Sequence, residues 1–491
     1  MTPDKTITSE QPLLTRRTSR RARRIARKKR QQKITAAAIM GTLLVAGGGV
    51  FAWDQLKPVS ALQVSELFPA DTQDLRVFAP NIAVKSPKML ENIGSYSKTS
   101  VKSEETPYLA DFTEDINTFF EFRSSHAWMG TAFAEGVWEN NNLTVYAVES
   151  GSQAKEFMLS ESCPTTFLKN YCGEGKFAVR GNWLVTGTAD AVHLHASDNK
   201  EKLDKESSLA KETEFTEQTS SLLDGTLALI WTDSKNVTSF LPMGLSDSFP
   251  TDARLALAVK PAENGVSIHG SMYKGESDNP IFDKPVISDS VTKLPANTVT
   301  AISVANAHED VKNMLANENS FINTQPEWVS LKDGIVGYGA VLPDDLEKIF
   351  GETTTFSLNR GSVGNEVAGT LRMSGSDSSV ALKVLSGAAQ KSSGITEMYK
   401  VREGDDDFLI ESHSPVTDGV ITDNPLFAKL VGPLDKSIAV AFIDLDNSWA
   451  LLDSSYELPS SNYDAGVLGI NVEQGSSNRV DLTLNWDTEK E

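Results

Sequence analysis

Alternating apolar and polar positions recur along the chain and predict β-strands. Residues 266–273 and 480–486 alternate with a period of two, and 143–148 is rich in β-branched and aromatic residues. Residues 177–186 combine two such runs around Gly181-Asn182, which predicts a hairpin. In each strand, alternate side chains are expected to face a core.

Short helices are predicted between these strands. Residues 153–159 follow a Ser-Gly start and contain Phe157 and Met158 among helix-forming residues. Residues 308–315 and 344–350 also read as short helices. Because the chain shows no long run of strict β-α alternation with glycine-rich turns, we predict an α+β fold of mostly antiparallel sheets, covered by helices on one face.

Two polar stretches interrupt these patterns. Residues 197–218 are nearly all polar and charged, and they are compatible with an exposed helix or with a mobile connector. Residues 274–290 contain Pro280 and Pro285 and are predicted to form a linker between two larger units.

The N-terminal region has the pattern of a membrane anchor. Residues 16–33 contain Lys and Arg but no acidic residue, and residues 34–53 carry no charge. Twenty helical residues span about 30 Å, the thickness of the hydrocarbon core. We therefore predict a basic cytoplasmic tail (1–33), a transmembrane helix (34–53) and a tether (54–65).

The basic tail sets the expected orientation. Basic residues beside a span stay in the cytoplasm, so the remainder of the chain should lie outside the membrane. A cleaved signal peptide ending near Ala52 is the main alternative. The tail is expected to contact anionic lipid headgroups, and a cytoplasmic partner is the alternative.

The rest of the chain is acidic. The first 33 residues carry a net charge of +10, and the whole chain carries −20, so residues 34–491 carry −30. Such a body is poorly suited to bind nucleic acid, and none is expected. We expect the acidity to serve solubility, and attraction of cations or of a basic partner is the alternative.

Three pairs of similar segments predict an internal duplication. Residues 67–72 resemble 293–298, with Pro69 and Pro295 at an offset of 226. Residues 224–233 resemble 435–444 at an offset of 211, and 252–259 resemble 464–472 starting at an offset of 212. Their order is conserved, so we predict two copies, at about 66–290 and 291–491.

The two cysteines are expected to form a structural disulfide. Cys163 and Cys172 are the only cysteines, and both would lie in an oxidising compartment. A redox-active pair is the alternative. Two thiols without a nearby histidine are too few for a zinc site. No catalytic, cofactor-binding or metal-binding residue is assigned.

Several residues match parts of metal-binding or catalytic patterns without completing them. If their segment is a strand, His193 and His195 share one face of it, but no third metal ligand is evident. Residues 265–269 only approach the Gly-x-Ser-x-Gly motif, and the Ser-x-x-Lys matches at 95–98 and 208–211 lack their companion motifs.

The carboxylate positions that stand out are expected to have structural roles. Residues 405–407 are three consecutive aspartates and are expected in a solvated turn. Asp233 and Asp444 end equivalent predicted strands, and each is expected to cap a helix after its strand, with ligand binding as the weaker alternative.

The arrangement resembles the actinobacterial membrane-anchored proteins grouped as "domain of unknown function 3352". The basic tail and single span are shared features, as is the Phe-Pro-Ala-Asp-Thr start at 68–72. The likeness continues through 143–157, 181–185, 228–233 and 294–304. This resemblance implies the anchored architecture but no catalytic residues and no activity.

Three functions are compatible with these features. The leading prediction is a non-enzymatic extracytoplasmic protein of the cell envelope that binds or scaffolds an envelope partner. The first alternative is a carrier of lipid or another apolar ligand, because a curved sheet under helices can enclose one. The second alternative is an envelope hydrolase. No cofactor is expected.

Overall fold

The computed structural model describes most of the chain after residue 60. The described residues are 61–78, 122–123, 125–196, 203, 207–223, 226–233, 253–262, 265–275, 284, 286–287, 289–316, 318, 321–324, 326–360, 367–377, 379–380, 382–383, 400–403, 407–412, 419–445, 447–448, 466–476 and 478–487. The predicted tail and span at 1–53 lie outside them. No helix among the described residues is long and apolar enough to cross a membrane.

Sixteen strands form the framework. They are β1 (Asp74–Phe78), β2 (Met129–Trp138), β3 (Asn141–Val148), β4 (Phe177–Arg180), β5 (Trp183–Gly187), β6 (Ala228–Asp233), β7 (Arg254–Pro261), β8 (Gly265–Tyr273), β9 (Thr298–Ala305), β10 (Thr353–Arg360), β11 (Val367–Ser374), β12 (Lys400–Glu403), β13 (Asp407–Glu411), β14 (Ser437–Asp444), β15 (Val467–Ser476) and β16 (Arg479–Asp487).

The described helices are short. They are α1 (Ala61–Ser65), α2 (Gly151–Met158), α3 (Ala189–His193), α4 (Thr213–Thr219), α5 (Asp289–Thr292), α6 (Ala307–Ala316), α7 (Phe321–Thr324), α8 (Pro326–Gly337), α9 (Leu346–Phe350) and α10 (Pro425–Leu430). Single 3-10 turns lie at Cys163–Thr165, Lys169–Tyr171, Leu209–Lys211 and Ile421–Asp423. The predicted strands, hairpin and short helices are all present.

All sixteen strands belong to one sheet, and every pairing between them is antiparallel. The strand order is β12-β13-β11-β10-β9-β14-β15-β16-β8-β7-β6-β1-β2-β3-β5-β4. The predicted mostly antiparallel architecture with short helices is therefore confirmed. The expected plural sheets are instead one continuous sheet, because β8 pairs with β16 along its whole length.

The strand order reads the same outward from the β8–β16 pair. We call β1–β8 the first half and β9–β16 the second half; each strand of the first half corresponds to the strand eight places later. The register agrees with the sequence offsets. Leu75 pairs with Trp231, and adding 226 and 211 gives Ala301 and Phe442, which also pair. This agreement supports the duplication, which stays a prediction.

The Pro-Ala-x-Thr segments build the same turn in both halves. The Thr72 hydroxyl donates to the Pro69 carbonyl at 2.6 Å, and the Thr298 hydroxyl donates to the Pro295 carbonyl at 2.7 Å. The two prolines form isolated bridges, Pro69 to Ser208 and Pro295 to Val420. The repeated motif therefore anchors the entry to β1 and β9.

One face of the sheet, which we call the helical face, is packed by helices in both halves. In the first half, Phe215 of α4 meets Trp231 at 5.4 Å between ring centroids. In the second half, Phe427 of α10 meets Phe442 at 5.5 Å. These ring pairs occupy corresponding places and centre the two cores.

The opposite face, which we call the lobe face, is covered in the first half by a lobe formed by residues 149–176. Its apolar side chains Met158, Cys163 and Leu168 pack on Phe133 and Tyr146 of the sheet. The first half is therefore apolar on both faces, whereas helices on one face alone were expected. Burial of both faces explains why β2 has almost no exposed position.

Three boundaries differ from the sequence-based expectations. Helix α1 occupies the last five residues of the predicted tether, and its Val64 is fully buried. Helix α5 crosses the predicted boundary at 290/291, and Ile287 before it belongs to the second core. The polar stretch 197–218 contains α4, whose Phe215 is buried, so this part is a packed element and no mobile connector.

Candidate functional site

On the helical face, strands β9, β10 and β11 have polar side chains where the corresponding strands β1, β2 and β3 have apolar ones. On the helical face of the first half, Val77, Ala134 and Val145 lie side by side across β1, β2 and β3. The corresponding row in β9, β10 and β11 is Ser303, Thr355 and Arg372. Polar side chains thus occupy the places of core residues.

Ser303 and Thr355 of this row, together with Asn359 nearby, are buried polar side chains with hydrogen-bond partners. Ser303 and Thr355 have no exposed surface, and their hydroxyl oxygens lie 2.7 Å apart. The Asn359 amide oxygen lies 2.6 Å from the Thr298 hydroxyl oxygen, and the Asn359 amide nitrogen donates to the Ser357 hydroxyl at 3.1 Å. Mutual hydrogen bonding offsets the cost of burying these groups.

On the lobe face the difference is the opposite one: charged side chains of the first half correspond to apolar side chains of the second half. In the first half, Arg76 of β1 lies beside Glu135 of β2, with a guanidinium nitrogen 4.0 Å from a carboxylate oxygen. The corresponding residues are Ile302 and Phe356, which pair directly across β9 and β10. Ile302 is 40% exposed and Phe356 is 39% exposed. Where one half places an ion pair, the other presents two large apolar side chains to solvent.

The neighbouring strands extend this apolar pair into a row. We call the row the apolar strip; it takes one residue from each of seven adjacent strands: Ile410, Leu371, Phe356, Ile302, Ala441, Ile470 and Leu484. Residues opposite one another in an antiparallel sheet share a face. Six intervals of about 4.8 Å make the strip about 29 Å long.

The strip continues as an apolar row beneath the lobe of the first half. Beyond Leu484 the same row passes through Ile268, Val259, Ala228, Phe78, Phe133, Tyr146, Leu184 and Val179. In that half the row is buried as far as Leu184 and half-buried at Val179. In the strip, Leu371, Ala441, Ile470 and Leu484 are half-buried and the Ile302–Phe356 pair is exposed. Leu371 and Ile410 pack in one cluster with Leu382, and Leu484 packs against the core of the first half. The Ile302–Phe356 pair is therefore the part of the strip that reaches solvent.

Residues of this kind can bind apolar groups but carry no proton-transfer chemistry. The strip contains only aliphatic and aromatic side chains, so its affinity would come from removing apolar surface from water. Burial of a large aliphatic or aromatic side chain contributes roughly 1.5–3 kcal/mol. The geometry favours binding over catalysis at this place.

The predicted disulfide is present in the lobe. The sulfur atoms of Cys163 and Cys172 are 2.04 Å apart and the Cα atoms 5.9 Å apart. Cys163 is fully buried against Met158, so the bond holds the lobe on the lobe face of the first half. It lies in the half opposite to the apolar strip.

The two neighbouring histidines do not form a metal site. His193 ends helix α3 and His195 follows it, so the segment is no strand and the two do not share a face. His195 is buried with its Nδ1 atom 3.3 Å from Arg180. Burial, with a smaller effect of the Arg180 charge, lowers the pKa of His195 to about 4. Among the described residues, no cluster of three or more His, Cys, Asp or Glu could hold a metal ion.

Ser267 and His269 lie next to each other at the junction of the halves. The Ser267 hydroxyl oxygen is 2.8 Å from His269 Nε2 and donates to Asn485 at 2.6 Å. Because its proton is directed to the amide oxygen, the imidazole acts as donor to the serine, the reverse of a general base. Burial and the charge of Lys260 lower the pKa of His269.

The other sequence candidates have structural places or lie outside the described residues. Asp444 accepts a hydrogen bond from the Asn447 backbone at 2.9 Å, as expected for a cap. Asp233 pairs with Arg254 at 3.1 Å, and the residues after it, which it is expected to cap, lie outside the described part of the chain. Ser208 is buried in the bridge to Pro69. Residues 95–98 and the aspartates at 405 and 406 lie outside the described part.

Sequence reasoning missed the apolar strip. Its signal was present: the offset of 226 places Ile302 at the position of Arg76. Such a change at equivalent positions of two repeats marks a place where their surroundings differ. The position of Phe356 opposite Ile302 depends on the register of β10, which no sequence pair revealed.

Comparison with known proteins adds no relative. No family model matches the chain, and no curated protein and no solved structure is similar to it. The resemblance to the domain of unknown function 3352 therefore stays a prediction.

Proposed function

We propose that the chain is a membrane-anchored, extracytoplasmic binding or scaffolding protein of the cell envelope, and that it has no enzymatic activity. The apolar strip carries this proposal. In a duplicated architecture the equivalent positions of the first half use Arg76 and Glu135, so the fold has no need of Ile302 and Phe356. Ile302 and Phe356 are adjacent on the surface, and contiguous exposed apolar patches are typical of interaction sites.

Features outside the strip support the cellular placement. The uncharged segment 34–53 has the length of a bilayer span, and the basic residues before it suit the cytoplasmic surface and its anionic lipid headgroups. A disulfide such as Cys163–Cys172 persists in oxidising compartments. In this proposal the two halves together form the extracytoplasmic body, consistent with the family resemblance.

A photo-crosslinking experiment tests the binding role. A benzophenone amino acid replaces Phe356 in one variant and the equivalent Glu135 in the control, and both are irradiated in cells that express the full chain. We expect an adduct at position 356 that exceeds the adduct at 135. Equal adducts at both positions, or none at 356, contradict a binding surface at the strip.

The placement has its own test. Protease added to intact cells whose outermost layers have been made permeable to protein should cleave the body while the tail stays protected. Protection of the body until the membrane itself is opened would reverse the orientation.

A further inference from the structure

We propose that the pairing of β8 with β16 is a self-sufficient protein–protein interface. It holds the second half of the chain on the first half without the covalent connection at 276–283. It also fits the second half better than it fits a second copy of the first half. After a cut in that connection, the chain therefore persists as two associated fragments.

The backbone ladder of this interface is long and regular. Nine residue pairs join Gly265–Tyr273 to Arg479–Asp487 without a shift in register. The ladder continues past the end of β8, because the Lys274 amide donates to the Asn478 carbonyl at 2.8 Å. Separating the halves would leave both strands as edge strands with unpaired backbone groups, which folded proteins avoid. The backbone alone therefore opposes separation along the whole length of β8.

On the lobe face, side chains of the second half complete the core of the first half. Leu484 lies opposite Ile268, and Trp486 lies opposite Val266. Both Leu484 and Trp486 pack against the apolar core beneath the lobe, in which Ile268 and Val266 are buried. Interfaces between obligate partners resemble a domain core divided in two. The β8–β16 junction has this character.

On the helical face, hydrogen bonds cross the same junction. The Ser267 hydroxyl oxygen lies 2.6 Å from the Asn485 amide oxygen, and the Ser271 hydroxyl donates to the Asp481 carboxylate at 2.5 Å. Both serines are buried. The two bonds lie two residues on either side of the central pair of the ladder. Each face of the sheet thus contributes side-chain contacts between the halves.

The second half fits the β8 edge better than another first half does. His269 and Thr483 form the central pair of the ladder. If β8 paired about the same centre with β8 of a second copy, His269 would face His269 and Ile268 would face Gly270. Glycine has no side chain to take the place of Leu484 opposite Ile268, so each first half would lose an apolar contact. The unlike pairing is therefore the preferred one.

A cut in the connection tests the interface. A site for a sequence-specific protease is inserted between residues 276 and 283 of the full chain, which carries an N-terminal affinity tag and is held in nanodiscs. After cleavage on the affinity resin, we expect the second half to stay bound to the first half and to leave only in denaturing urea. Denaturing gel electrophoresis verifies that the cut is complete. Release of the second half in native buffer overturns the proposal.

Matched substitutions locate the contact. Leu484→Asp places a charge in the interface and should release the second half at least about tenfold faster after the cut. Val336→Asp places the same charge on α8, where Val336 is 50% exposed, and should leave the release rate unchanged. Leu484→Ala is milder and should also accelerate release, even where Leu484→Asp does not fold. Equal release rates for the wild type and Leu484→Ala contradict an interface completed by side chains of β16.

Native mass spectrometry of the cut protein tests the choice of partner. We expect a complex of one first-half fragment with one second-half fragment. A complex of two first-half fragments overturns the preference for the unlike half. These outcomes do not depend on whether position 356 binds a partner, so the proposed binding function is tested separately.

Discussion

The buried histidine His195 makes a quantitative link between pH and stability. His195 lies two residues after the end of helix α3, with Arg180 beside it. Burial lowers its pKa from 6.5 to about 4. The imidazole is therefore neutral in the folded protein at neutral pH. In the unfolded chain it binds a proton near pH 6.5.

The sign and size of the effect follow from this difference. Between pH 6.5 and pH 4 the unfolded state binds more protons at His195 than the folded state does. The contribution of His195 to the free energy of unfolding therefore falls as the pH falls. Each pKa unit corresponds to 1.36 kcal/mol, so the 2.5-unit difference amounts to about 3.4 kcal/mol. The contribution is complete above pH 6.5 and lost by about pH 4.

Replacement by a side chain that does not titrate isolates this contribution. The substitution His195→Gln keeps a polar group of similar size. Urea unfolding of the wild type and the variant at pH 7.5 and pH 4 gives four free energies of unfolding. Other groups titrate equally in both proteins, so the difference between wild type and variant should shift by about 3 kcal/mol in favour of the variant at pH 4. A shift below about 1 kcal/mol would refute the neutral buried histidine.

Three further predictions concern the halves. The double substitution Cys163→Ala/Cys172→Ala should lower the free energy of unfolding by roughly 2.5–3 kcal/mol in the chain-entropy model, measured by urea unfolding, and reduction of the wild type should reproduce the loss. Phe215→Ala and Phe427→Ala should each cost about 3–5 kcal/mol, and a difference above 2 kcal/mol between them would deny that these rings have equivalent roles. Asn424→Ala should cost about 1 kcal/mol in the same assay, because Asn424 caps α10 through the backbone of Leu426; an unchanged midpoint would contradict the cap.

Much of the local structure follows from sequence periodicity. The alternation in 266–273 and 480–486 identified β8 and β16, because one face of each strand is apolar. The hairpin at Gly181-Asn182 followed from turn chemistry, and Gly181 has a φ of +60°. The offsets of 226 and 211 even agree with the strand register. Local patterns were sufficient where a single residue type or period decides the conformation.

Long-range pairing was beyond the sequence. Nothing in β8 or β16 alone indicates that each pairs with the other, and this pairing joins two expected units into one sheet. Phe215 was overlooked because it is a lone aromatic residue in a polar stretch, and its burial depends on Trp231 across the core. The apolar strip required the register of seven strands.

The junction of β8 and β16 has a consequence for how this surface could change. If the two halves were separate identical subunits that met at this junction, every substitution would occur twice, once in each subunit. A single chain that contains both sides can alter Ile302 and leave Arg76 as it is. Covalent linkage thus allows asymmetry within a symmetric framework: one side has the charged pair Arg76 and Glu135, and the other has Ile302 and Phe356 at the same places.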